Sequence, residues 1–171
     1  MRIVVCDAGP LIHLGEAGCL DLLRQAGNLF LPRRVAIEVQ SAILSEKLWP
    51  TFLQIVELEP HETKQVEMWQ AAGNLHRGEA EALVLAQRKK ADWFLTDDAA
   101  TRLFVSLLGL EVHDSLGIIL WNAAKGFLGR EAAESALERL ETTSLWLSDG
   151  IRREARLALE EIVSPKGASR S

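Results

Sequence analysis

The amino-acid sequence predicts an α/β fold, with a parallel sheet flanked by helices and a C-terminal helical extension. Two kinds of segment carry this prediction. Short β-branched or aromatic runs bounded by polar residues, such as residues 3–6 (IVVC) and 93–96 (WFLT), indicate buried strands. Segments with helical spacing of apolar residues separate these runs, and such alternation is typical of parallel sheets. We expect a single domain at residues 1–163, with its helical extension at 129–163 and a flexible tail at 164–171.

The first half of the chain contains three of the expected strands. After the strand at 3–6, Pro10 suits the first turn of a helix, and Gly15 and Gly18 divide the following stretch into two short helices. The further elements predicted in this half are a strand at 29–31, a helix at 35–47, a strand at 53–58 and a helix at 62–75.

The second half continues the alternation and then becomes helical. Gly78 precedes a helix at 79–90, which leads into the strand at 93–96. Gly109 suits the position just after a helix, so we expect a helix at 99–108. The remaining predicted elements are a strand at 110–113 and helices at 116–125, 131–140 and 149–163.

Composition and charge exclude several classes of protein. The net charge of −5 argues against non-specific binding of nucleic acid through a strongly basic surface. No apolar stretch approaches the roughly 20 residues needed to span a bilayer, so we expect a cytoplasmic protein without a membrane segment. The two cysteines, Cys6 and Cys19, form no CxxC motif, and Cys6 suits a buried strand position.

Acidic residues recur where the predicted strands end. Asp7, the pair Asp97 and Asp98, and Asp114 each follow a strand, and Glu79 opens a helix. The carboxyl ends of parallel strands border one crevice, so these side chains should meet there. At about 4 Å and an effective dielectric constant of about 20, each close pair of like charges costs about 4 kcal/mol. A hard divalent cation, Mg²⁺ or Mn²⁺, would relieve that repulsion.

Each acidic residue also has a simpler structural interpretation. Asp7 and Asp114 could cap the helices that follow them, and the helix macrodipole favours Glu79 in a first turn. Glu81 lies roughly 200° around the helix from Glu79, so both cannot face one site. Glu79 shares a face with apolar residues and is therefore assigned to the site, while Glu81 is expected at the surface, paired with Arg77 or Arg88.

Four sequence motifs occur in this order: residues 3–12 (IVVCDAGPLI), 78–82 (GEAEA), 95–98 (LTDD) and 115–120 (SLGIIL). Together they resemble the motifs of PIN-domain proteins, in the prokaryotic branch related to VapC-type toxin ribonucleases. The resemblance covers nearly the whole chain, including residues 146–149 (WLSD). It implies a flap-nuclease-like fold in which acidic side chains bind Mg²⁺ or Mn²⁺ and a metal-activated water cleaves RNA.

The resemblance also implies roles for individual residues. Asp7, Glu79 and Asp98 match acidic positions of the family and are predicted to be catalytic metal ligands. Glu38 would match a further acidic position, although a glutamate on a helix is as often a solvated surface residue. Asp97 could be a ligand, a group behind the ligands or a helix cap.

Asp114 is a departure from the closest branch, which commonly has glycine there. It could restore a fourth acid that other PIN proteins carry, or cap the next helix.

We therefore expect a metal-dependent ribonuclease, with the toxin of a toxin–antitoxin pair as the role that the resemblance suggests. Its partners would be an RNA substrate, a small antitoxin protein and a second copy of the chain. A candidate dimer surface comprises Leu48, Trp49, Phe52 and Leu53. The alternative is a catalytically degenerate PIN module that binds a protein or RNA. A phosphatase of the Asp-x-Asp kind is disfavoured because Gly9 follows Asp7-Ala8.

Overall fold

A five-stranded parallel sheet forms the centre of the protein, whose computed structural model describes residues 1–42 and 50–164. The strands lie in the order β3-β2-β1-β4-β5. All four neighbouring pairs are parallel, which confirms the predicted fold class. The strands are β1 Ile3–Cys6, β2 Asn28–Pro32, β3 Leu53–Val56, β4 Trp93–Leu95 and β5 Glu111–His113.

Helices cover both faces of the sheet and follow the predicted elements closely. Among the described residues, two short 3₁₀ helices, Leu20–Gln25 and Pro60–Glu62, supplement them. The α-helices are α1 Ala8–Glu16, α2 Arg33–Ala42, α3 Thr63–Gly73, α4 Arg77–Lys89, α5 Ala99–Leu107, α6 Ser115–Ala124, α7 Arg130–Glu141 and α8 Asp149–Val163.

Alternation along the strands divides the core between the two faces. Val4 and Cys6 point to a layer formed by α1, α2 and α6 to α8, whereas Val5 points to a layer formed by α3, α4 and α5. The C-terminal helices α7 and α8 are part of the first layer, since Leu137 and Leu159 are buried in its core.

The sheet reverses its order at β1, and this places a crevice at the carboxyl ends of β1 and β4. The chain proceeds from β1 to β2 and β3 on one side, then returns to place β4 and β5 on the other. Just beyond the strands, the backbone N–H of Asp7 donates to the carbonyl of Leu95 (2.9 Å). Ligands of open α/β sheets bind at such a switch point.

Some predicted boundaries differ from the structure or fall outside the described residues. β3 ends at Val56, because Pro60 begins a 3₁₀ helix shortly afterwards. The predicted extension of α2 to residue 47, the tail at 165–171 and two dimer-surface residues, Leu48 and Trp49, lie outside the described ranges. Of the other two, Phe52 is half-buried and Leu53 is buried in the core.

Across residues 1–42 and 50–164, the helices are too short or too polar for any of them to cross a membrane.

Candidate functional site

An open cleft of about 660 Å³ lies at the carboxyl ends of β1 and β4. Five of the six acidic residues predicted from the sequence line it, and they come from four different parts of the chain. The cleft thus gathers the acidic residues expected at the switch point, apart from Asp114. The acidic lining residues are Asp7, Glu38, Glu79, Asp97 and Asp98.

Asp7 is buried in the cleft, and its pKa is strongly raised. The residue is only 7% exposed, and its pKa rises from 3.8 to about 7. Burial is the main cause, and the charges of Glu79 and Glu38 add to it, while the Ala8 N–H and the Thr96 hydroxyl oppose it. Thr96 donates from Oγ1 to Oδ2 of Asp7 at 3.3 Å. Asp7 occupies the N-cap position of α1, yet its side chain makes no capping hydrogen bond.

Glu79 is held by the first turn of α4. Its Oε2 accepts from the backbone N–H of His76 at 2.7 Å, as part of a capping box. Its neighbour Glu81 faces a different pocket and pairs with Arg77 at 3.0 Å and Arg34 at 3.4 Å. The predicted divergence of Glu79 and Glu81 and the pairing with Arg77 are confirmed. Glu81 is nevertheless mostly buried, because two arginines cover it, and Arg88 pairs instead with Glu62.

Glu38 reaches the cleft from α2 across the start of α4. A Cβ atom at Gly78 would lie 2.9 Å from Oε1 of Glu38 and 3.0 Å from Oε2, so only glycine allows this approach. Burial raises the pKa of Glu38, while the charge of Arg34 lowers it and those of Glu81 and Glu79 raise it. Glu38 is therefore a lining residue of the acidic cleft.

Asp98 lines the cleft and also caps α5. Its Oδ1 accepts from the backbone N–H of Thr101 at 2.6 Å. This hydrogen bond is the main reason that the pKa of Asp98 falls below 3.8, although burial opposes it. The Asp98 side chain is thus anionic near neutral pH. The cap lies at Asp98 rather than at Asp97.

Asp97 is fixed by three donors from two distant helices. Its Oδ1 accepts from the backbone N–H of Ser115, and its Oδ2 accepts from the Ser115 hydroxyl, both at 2.7 Å. His13 Nδ1 lies 2.6 Å from the same Oδ2. The Asp97 side chain is only 4% exposed. A carboxylate has about four acceptor sites, and these three contacts account for much of that capacity. Asp97 joins the start of α6 to α1.

Asp114 is not among the residues that line the acidic cleft. Its Oδ1 accepts from the backbone N–H of Gly117 at 2.7 Å, and its Oδ2 pairs with Arg102. It therefore caps α6, as one of the two sequence interpretations proposed, and lies in a groove next to the cleft.

The donor set of the cleft suits a hard cation, although its members are spread out. In the described part of the chain, no three His, Cys, Asp or Glu side chains lie close enough to form a metal-binding group. Mg²⁺ usually keeps several waters and binds through only one or two carboxylates together with substrate phosphates. All-oxygen donors and mutually repelling carboxylates around Asp7 therefore fit such an ion by their chemistry.

An arginine-containing pocket of about 410 Å³ adjoins the acidic cleft and shares Glu38 with it. Arg33 pairs there with Glu57, and both Arg34 and Arg77 pair with Glu81. Arginine suits contacts with phosphate oxygens. This pocket therefore places three arginines next to the acidic cleft.

The residues that line the cleft without a site role predicted from the sequence include His13, His76 and Trp146. The contact of His13 with Asp97 spans 84 positions, beyond any local pattern. His76 precedes Glu79 at capping-box spacing, a signal that the sequence did contain. Trp146 belongs to the WLSD segment, but nothing in that segment shows that it reaches the strand ends.

Comparison with protein families matches residues 3–161 to a family model described as DUF3368, a PIN domain. No curated protein and no solved structure matches the chain. The matched range includes all six acidic residues considered above.

Proposed function

Because this chain belongs to the DUF3368 family of PIN domains, a nuclease-type fold, we propose that it is a metal-dependent ribonuclease that hydrolyses RNA phosphodiester bonds. The observation that supports this most directly is the environment of Asp7. The side chain is buried beside two other acids, and no basic side chain of the described residues pairs with it. Perturbed carboxylates in a cleft are candidates for a functional site.

Asp7, Glu79 and Asp98 would hold the ion, with Glu38 as a further candidate ligand. A bound Mg²⁺ or Mn²⁺ would lower the pKa of a coordinated water and shield negative charge on the phosphate. The structure supports this assignment over one centred on Asp97 or Asp114, because both oxygens of each of those carboxylates have a partner: Ser115 and His13 for Asp97, and Gly117 and Arg102 for Asp114. The described hydrogen bonds of Asp98 and Glu79 use one carboxylate oxygen each.

The protein's own residues would position the reacting groups. Thr96 donates to Asp7 and thereby fixes the orientation of that carboxylate. Arg34 and Arg77 lie in the adjoining pocket, where a phosphate next to the cleaved bond could compete with Glu81 for their guanidinium groups. RNA is preferred over DNA in this proposal because of the family resemblance.

The test is metal-dependent cleavage of a mixed RNA pool by two matched variants. Asp98→Asn removes a proposed ligand, so it should lower the rate by at least the roughly 10–100-fold that loss of a group supporting a ligand costs. Asparagine is as good an N-cap as aspartate, so the fold of this variant should be retained. Glu81→Gln removes a nearby acid outside the cleft and should keep most of the activity. Equal losses in the two variants would refute the assignment, and no cleavage by the parent in Mn²⁺ would refute the ribonuclease proposal.

The second candidate is a PIN module that binds RNA or a protein without turnover. The dispersed arrangement of the carboxylates favours it, since no metal-binding group is preformed among the described residues. RNA binding by the parent in Mn²⁺ without any cleavage would establish this alternative. A toxin role would additionally require a small antitoxin partner, whose co-purification with the chain can be tested directly.

A further inference from the structure

Trp146 is the most exposed tryptophan of the described chain, although it lines the acidic cleft. It is 81% exposed, whereas Trp93 is buried and Trp69 and Trp121 are half-buried. A tryptophan offers a large apolar face that is costly to leave in water, so its exposure beside a polar cleft requires an explanation.

The backbone around Trp146 is anchored on both sides. Before it, the Ser144 N–H and hydroxyl both donate to Glu16, at 2.8 Å and 2.8–3.0 Å. After it, Leu147 is buried and its carbonyl accepts from Arg152 Nε at 3.1 Å. The exposed indole is therefore carried by a segment fixed to α1 and α8, rather than by a frayed end.

Trp146 lies between the acidic cleft and a second groove of about 150 Å³. The two cavities share Asp97, Leu145 and Trp146 as lining residues, and the second groove also contains Arg102. A single nucleic-acid strand that crosses from one cavity to the other would pass over Trp146. One of its phosphates would then lie near the carboxylates and a neighbouring one near Arg102.

We propose that Trp146 is a stacking platform for an unpaired base of single-stranded RNA, adjacent to the phosphate that enters the acidic cleft. This inference rests on the proposed nuclease function and specifies its substrate as unpaired. Bases that are splayed out of a helix can stack on aromatic side chains, whereas paired bases stack on each other. A protein of net charge −5 gains little from general attraction to phosphates, so a salt-independent stacking contact suits it.

The test is fluorescence anisotropy with a labelled single-stranded RNA of about 12 nucleotides, with Ca²⁺ as the divalent cation. Trp146→Ala should raise the Kd about 5-fold to 150-fold, the range measured for loss of one stacked base. Trp146→Phe should keep most of the affinity. The ratio of the two Kd values, parent to Trp146→Ala, should not change with salt, because stacking releases no counterions. The same RNA annealed to its complement should bind parent and Trp146→Ala equally.

Phe127→Ala is the matched control, since Phe127 is an exposed aromatic that lines none of the described cavities. The Kd of this variant should equal that of the parent.

Equal Kd values for the parent and Trp146→Ala would overturn the proposal, as would an equal loss of affinity in Trp146→Phe and Trp146→Ala. A change of molecular mass in Trp146→Ala by light scattering would overturn it in favour of a contact between copies. Binding through Trp146 without cleavage in Mn²⁺ would refute only the ribonuclease activity, whereas cleavage with an unchanged KM in Trp146→Ala would refute only the platform.

Discussion

Replacing Asp7 by asparagine should stabilise the metal-free protein at neutral and alkaline pH. Asp7 carries its proton more tightly when folded, because burial and the charges of Glu79 and Glu38 oppose its ionised form. Its pKa is about 7 in the folded protein against 3.8 as the ordinary value. Asparagine retains the oxygen that accepts from Thr96 but never becomes charged, so the variant avoids the cost of ionisation.

The sign and size of the effect follow from proton linkage. Below pH 3.8 Asp7 is protonated in both states and costs nothing. As the pH rises towards 7 the unfolded state ionises first, so the free energy of unfolding of the parent falls across this window. At about 1.4 kcal/mol per pH unit, the full cost is about 4 kcal/mol above pH 7. The variant should therefore gain about 2.5 kcal/mol relative to the parent between about pH 5 and pH 8.

Urea unfolding of both proteins in EDTA at these two pH values measures this difference. Adding Mn²⁺ at pH 8 should then stabilise the parent, by about 2.7 kcal/mol at a hundredfold excess over the Kd. The variant should gain much less, because it lacks one proposed ligand.

Two results would refute this reasoning. If Asp7 acted only as a helix cap, the variant would be as stable as the parent in every buffer, because asparagine caps a helix as well as aspartate does, and metal would stabilise neither protein. If neither Mn²⁺ nor Mg²⁺ changes the free energy of unfolding of the parent, the proposed metal site is refuted.

Two further predictions concern residues that support the site. Gly78→Ala should leave the melting temperature unchanged or slightly higher, since alanine favours a helix by up to about 1 kcal/mol. The new methyl group would displace the Glu38 carboxylate, so the variant should cleave RNA more slowly. Unchanged cleavage would show that Glu38 is not needed. Asp97→Ala should lower the free energy of unfolding by about 2–3 kcal/mol, because the donors of Ser115 and His13 lose a buried acceptor. A variant as stable as the parent in urea would contradict this.

The fold and most of the cleft could be predicted from local patterns. Apolar runs located the strands, and the rule for parallel sheets then brought Asp7, Asp97 and Asp98 to one edge. The 100° step of a helix separated Glu79 from Glu81. These predictions needed only the direction of each strand and the period of each helix, which the sequence encodes within about ten residues.

The contacts that distinguish the acidic residues from one another were not accessible in this way. Glu38 reaches the cleft because α2 packs against the start of α4 at a glycine, which depends on how two helices cross. Asp97 meets Ser115 and His13 through separations of 18 and 84 positions. Trp146 borders the cleft because the chain returns to α1 after α7, where Glu16 accepts from Ser144. The periodicity of apolar residues within one segment gives no information about such long-range packing.

Asp7 and Asp97 differ in how far the protein compensates the charge of each carboxylate. Both are buried acids at the ends of neighbouring strands. Asp97 contacts three hydrogen-bonding groups within 2.7 Å, so the protein itself stabilises that side chain. Asp7 accepts a longer bond of 3.3 Å from Thr96 and lies beside other acids, which leaves its charge poorly compensated. A buried carboxylate without a cation destabilises the fold, and a bound metal ion would offset that cost. The energetic deficit at Asp7, rather than the number of acids, therefore locates the proposed metal site.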